Sequence, residues 1–487
     1  MSLKGYHEAS LHPPAAYDAA AATVWDWGEA LLDKSAYMVH KKDHQKNHTS
    51  ARCTFKRNLD DDGVVEVEMQ VSLFLAPPPR VSYSCCSANL TEDDHGEQQG
   101  TPRLFVREPW VIATEGNLAL LALCHGYNPA YYGESNNYDY FLYEAAASPA
   151  GTPKLTCLPQ IQPEMLPAMG THCFSTGSIG VMRYRSPKDD DAYRIAAFAD
   201  DYFHPSHSGY YLYTYDSKDH AWIHKPASFP QPPPHDDFVP DKVITIGGIM
   251  GWVDLWSGMV LCDVLATTAD DTLCTPLHYL ALPDPRQPEN RLPLATDIAY
   301  FFRDIALAND SGIIRFVDLQ TPSGWTVVTW TLEGLNDGLD TLFFRQEHDT
   351  VTKVHPHHKF SDRQCHFLGY NLPQSLFVSN PILSSHSDGV LYLLTNASSE
   401  DTRTSQVIAL DLNQRQLLDV QDFDKQRPNP YMGTTISRHL VPAAVSKEKD
   451  NMKRRAPVSL GSSRKKPPSI AKSAGEEGDG EDAMDFS

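Results

Sequence analysis

The sequence predicts a mainly β protein, a β-propeller-like array of antiparallel hairpin blades that ends in a disordered charged tail. Three observations predict it. Short apolar and aromatic runs recur with turn residues between them and no long helical stretch. The 36 prolines and 10% aromatic residues suit turns and pleated surfaces better than helices. Beyond residue 440, large apolar side chains thin out while charges, Ser, Gly and Pro accumulate. Such a composition buries too little surface to offset the entropy of ordering. The 487 residues permit two or three domains, or one unusually large all-β domain.

Taken in order, residues 1–50 form a poorly defined segment. One helix is expected from Ala19–Ala22 through Leu32, and the His- and Lys-rich run from His40 to His48 reads as solvent-exposed. A β-rich body follows over 51–440. In its first clear strand Val65, Val67, Met69, Val71, Leu73 and Leu75 alternate with mostly polar neighbours, the period of a half-buried strand. Pro77–Pro79 stops it and Val81–Cys85 resumes the extended pattern.

Beyond residue 110 a hairpin unit recurs at Tyr138–Leu158, Tyr210–Lys225, Ile244–Leu265, Ile313–Leu332 and Val390–Val420. In the clearest copy Tyr211, Tyr213 and Tyr215 share one face, Asp216–Asp219 turn the chain, and Trp222 lies on the return. A lone blade cannot bury both faces of its sheet, so neighbours must stack and the ring must close. The spacing is irregular, with insertions at 200–208, 230–241 and 345–374, and two β-sandwich-like domains are the alternative arrangement. Residues 441–487 are a basic-then-acidic tail: 447–472 carry nine Lys or Arg against two acids, and 473–487 carry six acids.

The net charge of −21 argues against an extended phosphate-binding face, so direct nucleic-acid binding is not expected. No run reaches the roughly 18 apolar residues of a membrane span. The N-terminus lacks the cationic start and leucine-rich core of a secretory signal. Nine cysteines, an odd number without framework spacing, read as thiols of a reducing compartment. The expected location is nucleus or cytoplasm, not the secretory route.

The most distinctive segment is Gly251–Leu265, GWVDLWSGMVLCDVL. It resembles the core motif of a plant family expanded in grasses, the domain of unknown function 1618. Further stretches agree in order: PPPRVSYSC at 77–85, NLALLAL at 117–123, YDYFLYEA at 138–145, GYYLYTYDSKDHAWIHK at 209–225, FRDIAL at 302–307, then IIRFVDL, DGVLYLL, VIALDL and TTISRHL. The resemblance covers about residues 20–440. It implies no activity, cofactor or catalytic residue, because the family has none established. The hairpin with its tyrosines and tryptophan is also similar to the β domain of plant F-box proteins, but no F-box helix bundle opens this chain.

Within the motif Gly251, Trp252, Asp254, Trp256, Gly258 and Asp263 are read as structural. Asp254 and Asp263 suit turn capping, though a carboxylate among aromatics can also be a proton carrier. Trp252 and Trp256 suit packing between blades. Arg303–Asp304 resembles a local ion pair. Cys85 and Cys86, neighbours on a strand, point one to the core and one partly outward. His355, His357, His358, Cys365 and His366 are zinc-ligand types, but without paired spacing they read as a polar loop. Lys453, Arg454 and Arg455, with Arg464, Lys465 and Lys466 after a spacer of eight, resemble a two-part nuclear import signal for an import receptor. No phosphate loop, nucleophile elbow or H-E-x-x-H is present. The resulting expectation is a non-enzymatic module for an unknown protein partner, without cofactor. The alternative is an enzyme with its site in the propeller channel or between domains.

Overall fold

The computed structural model describes residues 6–15, 28–59, 63–90, 105, 107–125, 137–146, 151–161, 174, 177–185, 191–200, 210–230, 238–266, 274–284, 299–309, 311–320, 325–334, 338–346, 352–354, 365–367, 370–372, 377–396, 405–423, 427 and 431–440. All of these belong to one compact unit, Met1–Ala443. They are mainly β, with short 3-10 turns and no α-helix among the described residues.

Six sheets of four or more strands follow one another along the chain, and a two-stranded hairpin, Cys365–Phe367 with Tyr370–Leu372, lies in sequence between the fifth and the sixth. Sheet 1 runs Ala51–Leu59, Gly63–Phe74, Val81–Leu90, Ala30–Asp33, Tyr431–Thr434, so it unites strands from both ends of the body. Ala30–Asp33 pairs antiparallel with Tyr431–Thr434 and parallel with Val81–Leu90. The other five are built on antiparallel meanders in sequence order, with Thr275–Pro276 added parallel at the edge of sheet 3 and Thr352–Val354 added beside Trp325–Glu333 in sheet 5. Sheet 2 is Trp110–Glu115, Leu118–His125, Asn137–Glu144, Lys154–Cys157; sheet 3 is Ile179–Arg185, Asp191–Asp200, Tyr210–Asp216, Ala221–Ser228. Sheet 4 is Lys242–Ile246, Ile249–Asp254, Gly258–Asp263, His278–Ala281. Sheet 5 is Arg303–Ala308, Ile313–Gln320, Trp325–Glu333, Phe343–Gln346, and sheet 6 is Phe377–Leu383, Val390–Asn396, Ser405–Asp411, Gln416–Phe423. The five recurring hairpins of the sequence all fall on these strands.

The central strands read as continuous apolar runs because both of their faces are covered. Leu118, Leu120 and Ala122 pack with sheet 3, and Ala119, Leu121 and Leu123 pack with sheet 1. The same split recurs in sheet 3, where Ile195 and Ala197 face sheet 2 while Ala196 and Phe198 face sheet 4. In sheet 4 Met250 and Trp252 face sheet 3, and Val253, Met259 and Leu261 face sheet 5. In sheet 6 Leu391 and Leu393 face sheet 5, and Tyr392 and Leu394 face sheet 1. Each seam between successive sheets, including sheet 6 to sheet 1, therefore has its own apolar cluster. Burying one such leucine contributes about 2 kcal/mol.

Every seam is also tied by a polar side chain. Tyr143 OH donates to Thr49 O at 2.7 Å, Trp222 Nε1 to Pro159 O at 2.8 Å, and Trp252 Nε1 to Ser178 O at 2.7 Å. Arg303 Nη1 donates to Leu255 O at 3.0 Å, and Arg315 makes two bonds of 2.9 Å to Asp388. At the last seam Glu29 accepts from Ser385 N at 2.9 Å, from Tyr392 OH at 2.7 Å and from Ser384 Oγ.

Three expectations are corrected. Residues 30–32 of the expected helix are strand: Leu31 and Leu32 are both fully buried, facing the seams to sheets 6 and 2, and strand partners on either side override helix propensity. His44, in the run read as exposed, is buried, with Nδ1 and Nε2 each 2.8 Å from a serine hydroxyl, Ser87 and Ser72. Cys85 and Cys86 do face opposite sides, but both are buried, because Val39, Phe74 and Tyr83 cover the outer face of sheet 1. Cys53, Cys85, Cys86, Cys157, Cys262 and Cys274 form no disulfide.

Candidate functional site

The first strands of sheets 2 to 6 and Tyr431–Thr434 of sheet 1 line one common cavity of about 200 Å³. Its wall includes Ile112 to Glu115, Gly180 and Val181, Lys242 to Thr245, Arg303 to Leu307, Asn380 to Leu383 and Tyr431 to Thr434. Two of these strands are irregular where they meet it. Register shifts between Val111 and Ala113 and between Ser379 and Ile382, and Asn380 sits at a φ of 52°. Asparagine tolerates that left-handed conformation, and such bulges re-aim side chains.

Charged groups gather on one side. Lys242 Nζ lies 2.6 Å from Asp304 Oδ1 and donates to Ile305 O at 2.8 Å, while Asp304 Oδ2 accepts from Leu383 N at 2.8 Å. One carboxylate thus joins sheets 4, 5 and 6. Arg303 is fully buried, with Nε 2.9 Å from Asp318 Oδ1 and its guanidinium 5.3 Å from the Trp256 ring centroid. Asp241 Oδ2 accepts from Leu255 N at 2.8 Å. Burial pushes the Asp241 carboxyl up to about 7; the Leu255 N–H and the ammonium groups of Lys34 and Lys242 oppose the rise, and the Asp254 charge adds to it.

Lys34 enters this group from the segment that links sheets 1 and 2. That segment is held by a Ser35–Trp110 bridge, by Val111 N donating to Lys34 O at 2.8 Å and by Ala36 N donating to Pro109 O at 2.8 Å. The Lys34 side chain is enclosed by protein yet keeps surface on the cavity. Among the described residues its ammonium has no hydrogen-bond or ion-pair partner. Burial lowers its pKa and nearby Lys242 adds to the fall, while Asp304 and Asp241 oppose it. Glu115, on the sheet 2 side, accepts from Arg183 N at 3.2 Å, and burial raises its carboxyl. The cavity therefore offers a lysine without a counter-ion, its charged form disfavoured by burial, beside a carboxyl that burial pushes up to about 7.

The sequence motif lies beside this cavity, largely in its support. Trp252 is fully buried in the seam between sheets 3 and 4. Trp256 packs on the seam between sheets 4 and 5. Asp254 Oδ1 accepts from Trp256 N at 2.8 Å and Ser257 N at 3.2 Å, and Asp263 Oδ1 accepts from Leu265 N at 3.0 Å and Ala266 N at 2.9 Å, so both cap turns. Gly251 and Gly258 allow close approach. A Cβ on Gly251 would stand 2.9 Å from Met259 Sδ, and one on Gly258 would stand 2.3 Å from the Tyr279 hydroxyl. Arg303 and Asp304, neighbours on a strand, project to opposite faces and bind different partners, Asp318 and Lys242, which replaces the expected local pair.

Sequence reading missed Lys34, Glu115, Asp241 and Lys242. Lys34, Glu115 and the adjacent pair Asp241–Lys242 lie on three segments some 80 to 130 residues apart, and no local pattern connects them. Among the described residues no three His, Cys, Asp or Glu converge as a metal site. The side chains of His355, His357, His358, Cys365 and His366 lie outside the described residues, as do Lys453–Arg455 and Arg464–Lys466. No helix among the described residues is long and apolar enough to cross a membrane.

Two solved structures resemble the chain weakly. A protein of unknown function from Dyadobacter fermentans shares 9% identity at a TM-score of 0.31, over 76% of this chain and 96% of its own. Xylan beta-1,4-xylosidase from Bacillus halodurans shares 8% at a TM-score of 0.28, over 84% of this chain and 91% of its own. No curated protein matches the chain. The family model described as "Protein of unknown function (DUF1618)" matches residues 252–392, from Trp252 of the motif through sheet 5 into sheet 6, and that match supports the resemblance to this family over those residues.

Proposed function

We propose that the six sheets are the blades of a closed propeller and that the protein is a non-enzymatic recognition module, holding a protein partner on the connections between its strands. One observation carries the reading: the first and last strands of the body, Ala30–Asp33 and Tyr431–Thr434, pair within one sheet while every sheet packs on two neighbours. A frame tied in this way is rigid, and recognition loops work best on rigid frames. The connections at 126–136, 162–173, 201–209, 231–237, 285–298 and 355–364 supply ample sequence for recognition. The chain's net charge of −21 favours a partner with a basic surface.

Affinity purification with the full chain and with residues 1–442 tests this reading. A specific protein retained by both forms, and lost when 201–209 and 231–237 are replaced by Gly-Ser sequence, supports it. Retention after those replacements refutes the assignment to these loops. Loss with the tail would shift the function to residues 443–487 and to nuclear transport, which a reporter carrying that tail would check by its distribution between compartments. A second reading, an enzyme using the common cavity, is favoured by Lys34 and the Asp241 carboxyl, each with its pKa shifted by burial, on one cavity wall. Turnover of a screened metabolite that Asp241→Asn abolishes would establish it.

A further inference from the structure

We infer that the common cavity is a binding site for a small organic monocarboxylate, with the Lys34 ammonium as its anchor. Two of the wall's three cations sit in ion pairs and the third does not. Lys242 is matched by Asp304 at 2.6 Å and Arg303 by Asp318 at 2.9 Å, and both acids are buried. The Lys34 ammonium has no such match among the described residues, although it faces Lys242, Asp304 and Asp241. An enclosed cation without a counter-ion is costly, and an anion entering the cavity removes that cost.

The surroundings select the anion's charge. Asp304 already spends both oxygens on Lys242 and Leu383, and as an ionised neighbour it repels a second negative charge. Asp241 has one oxygen on Leu255 N and its other oxygen uncommitted among the described residues; when protonated it donates to the incoming oxygen. A single unpaired lysine with the carboxylate of Asp304 beside it suits a singly charged carboxylate better than a phosphate dianion. A cavity of about 200 Å³ suits a small organic ligand. Asn380, Tyr300 and Thr434 on the wall add groups that can bond a hydroxyl or oxo substituent next to the carboxylate.

This inference stands apart from the protein-partner reading, and either can fail alone. Calorimetric titration of the full chain at pH 7 with acetate, propionate, lactate and pyruvate, each against its amide, and with inorganic phosphate, tests it. The expected result is at least one acid bound tenfold or more above its amide and above phosphate. Lys34→Met should lower that affinity tenfold or more while circular dichroism stays unchanged, and Lys34→Arg should restore part of it. Equal binding of acids and amides, tighter binding of phosphate, no binding of any acid, or a Lys34→Met protein that binds like the parent would each overturn the inference. The comparison of acid with amide needs no variant, and decides the matter where Lys34→Met does not fold.

Discussion

The seam between sheets 3 and 4 and the seam between sheets 6 and 1 do the same job with different chemistry. The first is apolar: Met182, Ala196, Phe198, Leu212, Met250, Trp252, Val260 and Cys262 fill it. The second has a smaller apolar cluster around Leu31, Tyr392 and Tyr431, and adds buried Glu29 with three donors from sheet 6. The difference follows from the chain path. Sheets 3 and 4 are consecutive meanders, each fixed by its own hairpins, so non-directional apolar contact suffices between them. Sheet 1 is assembled from distant segments, with Ala30 opposite Thr434, and no hairpin sets that register. Directional bonds at Glu29, and the ion pair of Arg427 with Asp33, fix what apolar contact would leave free to slip.

The largest expected effect is at the apolar seam. Trp252→Ala removes a fully buried indole and one of the donors to Ser178 O, so it should destabilise by about 4 kcal/mol. A denaturant titration showing less than about 2 kcal/mol would mean that sheets 3 and 4 are not packed through this residue. The polar seam comes next. Glu29→Ala leaves Ser384, Ser385 and Tyr392 with unmade bonds and should cost about 3 kcal/mol, at roughly 1 kcal/mol for each bond. Glu29→Gln keeps one acceptor oxygen and should cost about half as much. If the two substitutions cost the same, the charge of Glu29 rather than its geometry closes the body.

These seams also show why the sequence was legible in parts. The hairpins at Tyr210–Ser228 and Val390–Phe423 could be read because apolar residues alternate around a polar turn within some 20 to 35 positions. Asp254 and Asp263 could be read as turn caps because an Asx turn is a local event. Sheet 1 could not be read, since pairing Leu31 with Gly433 is a contact across the whole body that no window contains. The candidate site was illegible for the same reason. Lys34, Asp241 and Asp304 meet only when sheets 1, 4 and 5 are in place, and alone each looks like any polar residue near a strand end. Arg303–Asp304 drew notice as a dipeptide, but the strand sends its two side chains to different seams.

Sheet 1 carries a further polar device, and pH can expose it. Burial first, and the nearby Lys46 charge second, lower the His44 pKa to about 4 from 6.5. Folding therefore favours the neutral ring, so its contribution is complete above pH 6.5 and is lost as pH falls toward 4. Asp33 and Asp241, whose carboxyls burial raises, shift with opposite sign, so the total pH profile does not isolate the histidine. The difference between the parent and His44→Gln does. The parent's advantage should shrink by about 2 kcal/mol between pH 7 and pH 4, less than the full shift because the ring is not wholly enclosed. A constant difference would show that Ser72 and Ser87 hold the ring equally well in both protonation states.

The smallest effect is expected where a polar contact has neither burial nor a register to set. Arg345 makes two bonds to Glu333 Oε1, at 3.0 and 2.7 Å, across the last two strands of sheet 5. The Arg345 side chain is 66% exposed and that of Glu333 36%. On distance alone this pair resembles the Glu29 contacts. Water screens it, however, and competes for both partners in the folded and unfolded chain alike. Arg345→Ala should therefore change stability by less than about 0.5 kcal/mol, and what remains should vanish in 1 M salt. A loss approaching that of Glu29→Ala would mean that bond count rather than burial sets the strength of these contacts, and the contrast between the two seams would then need another cause.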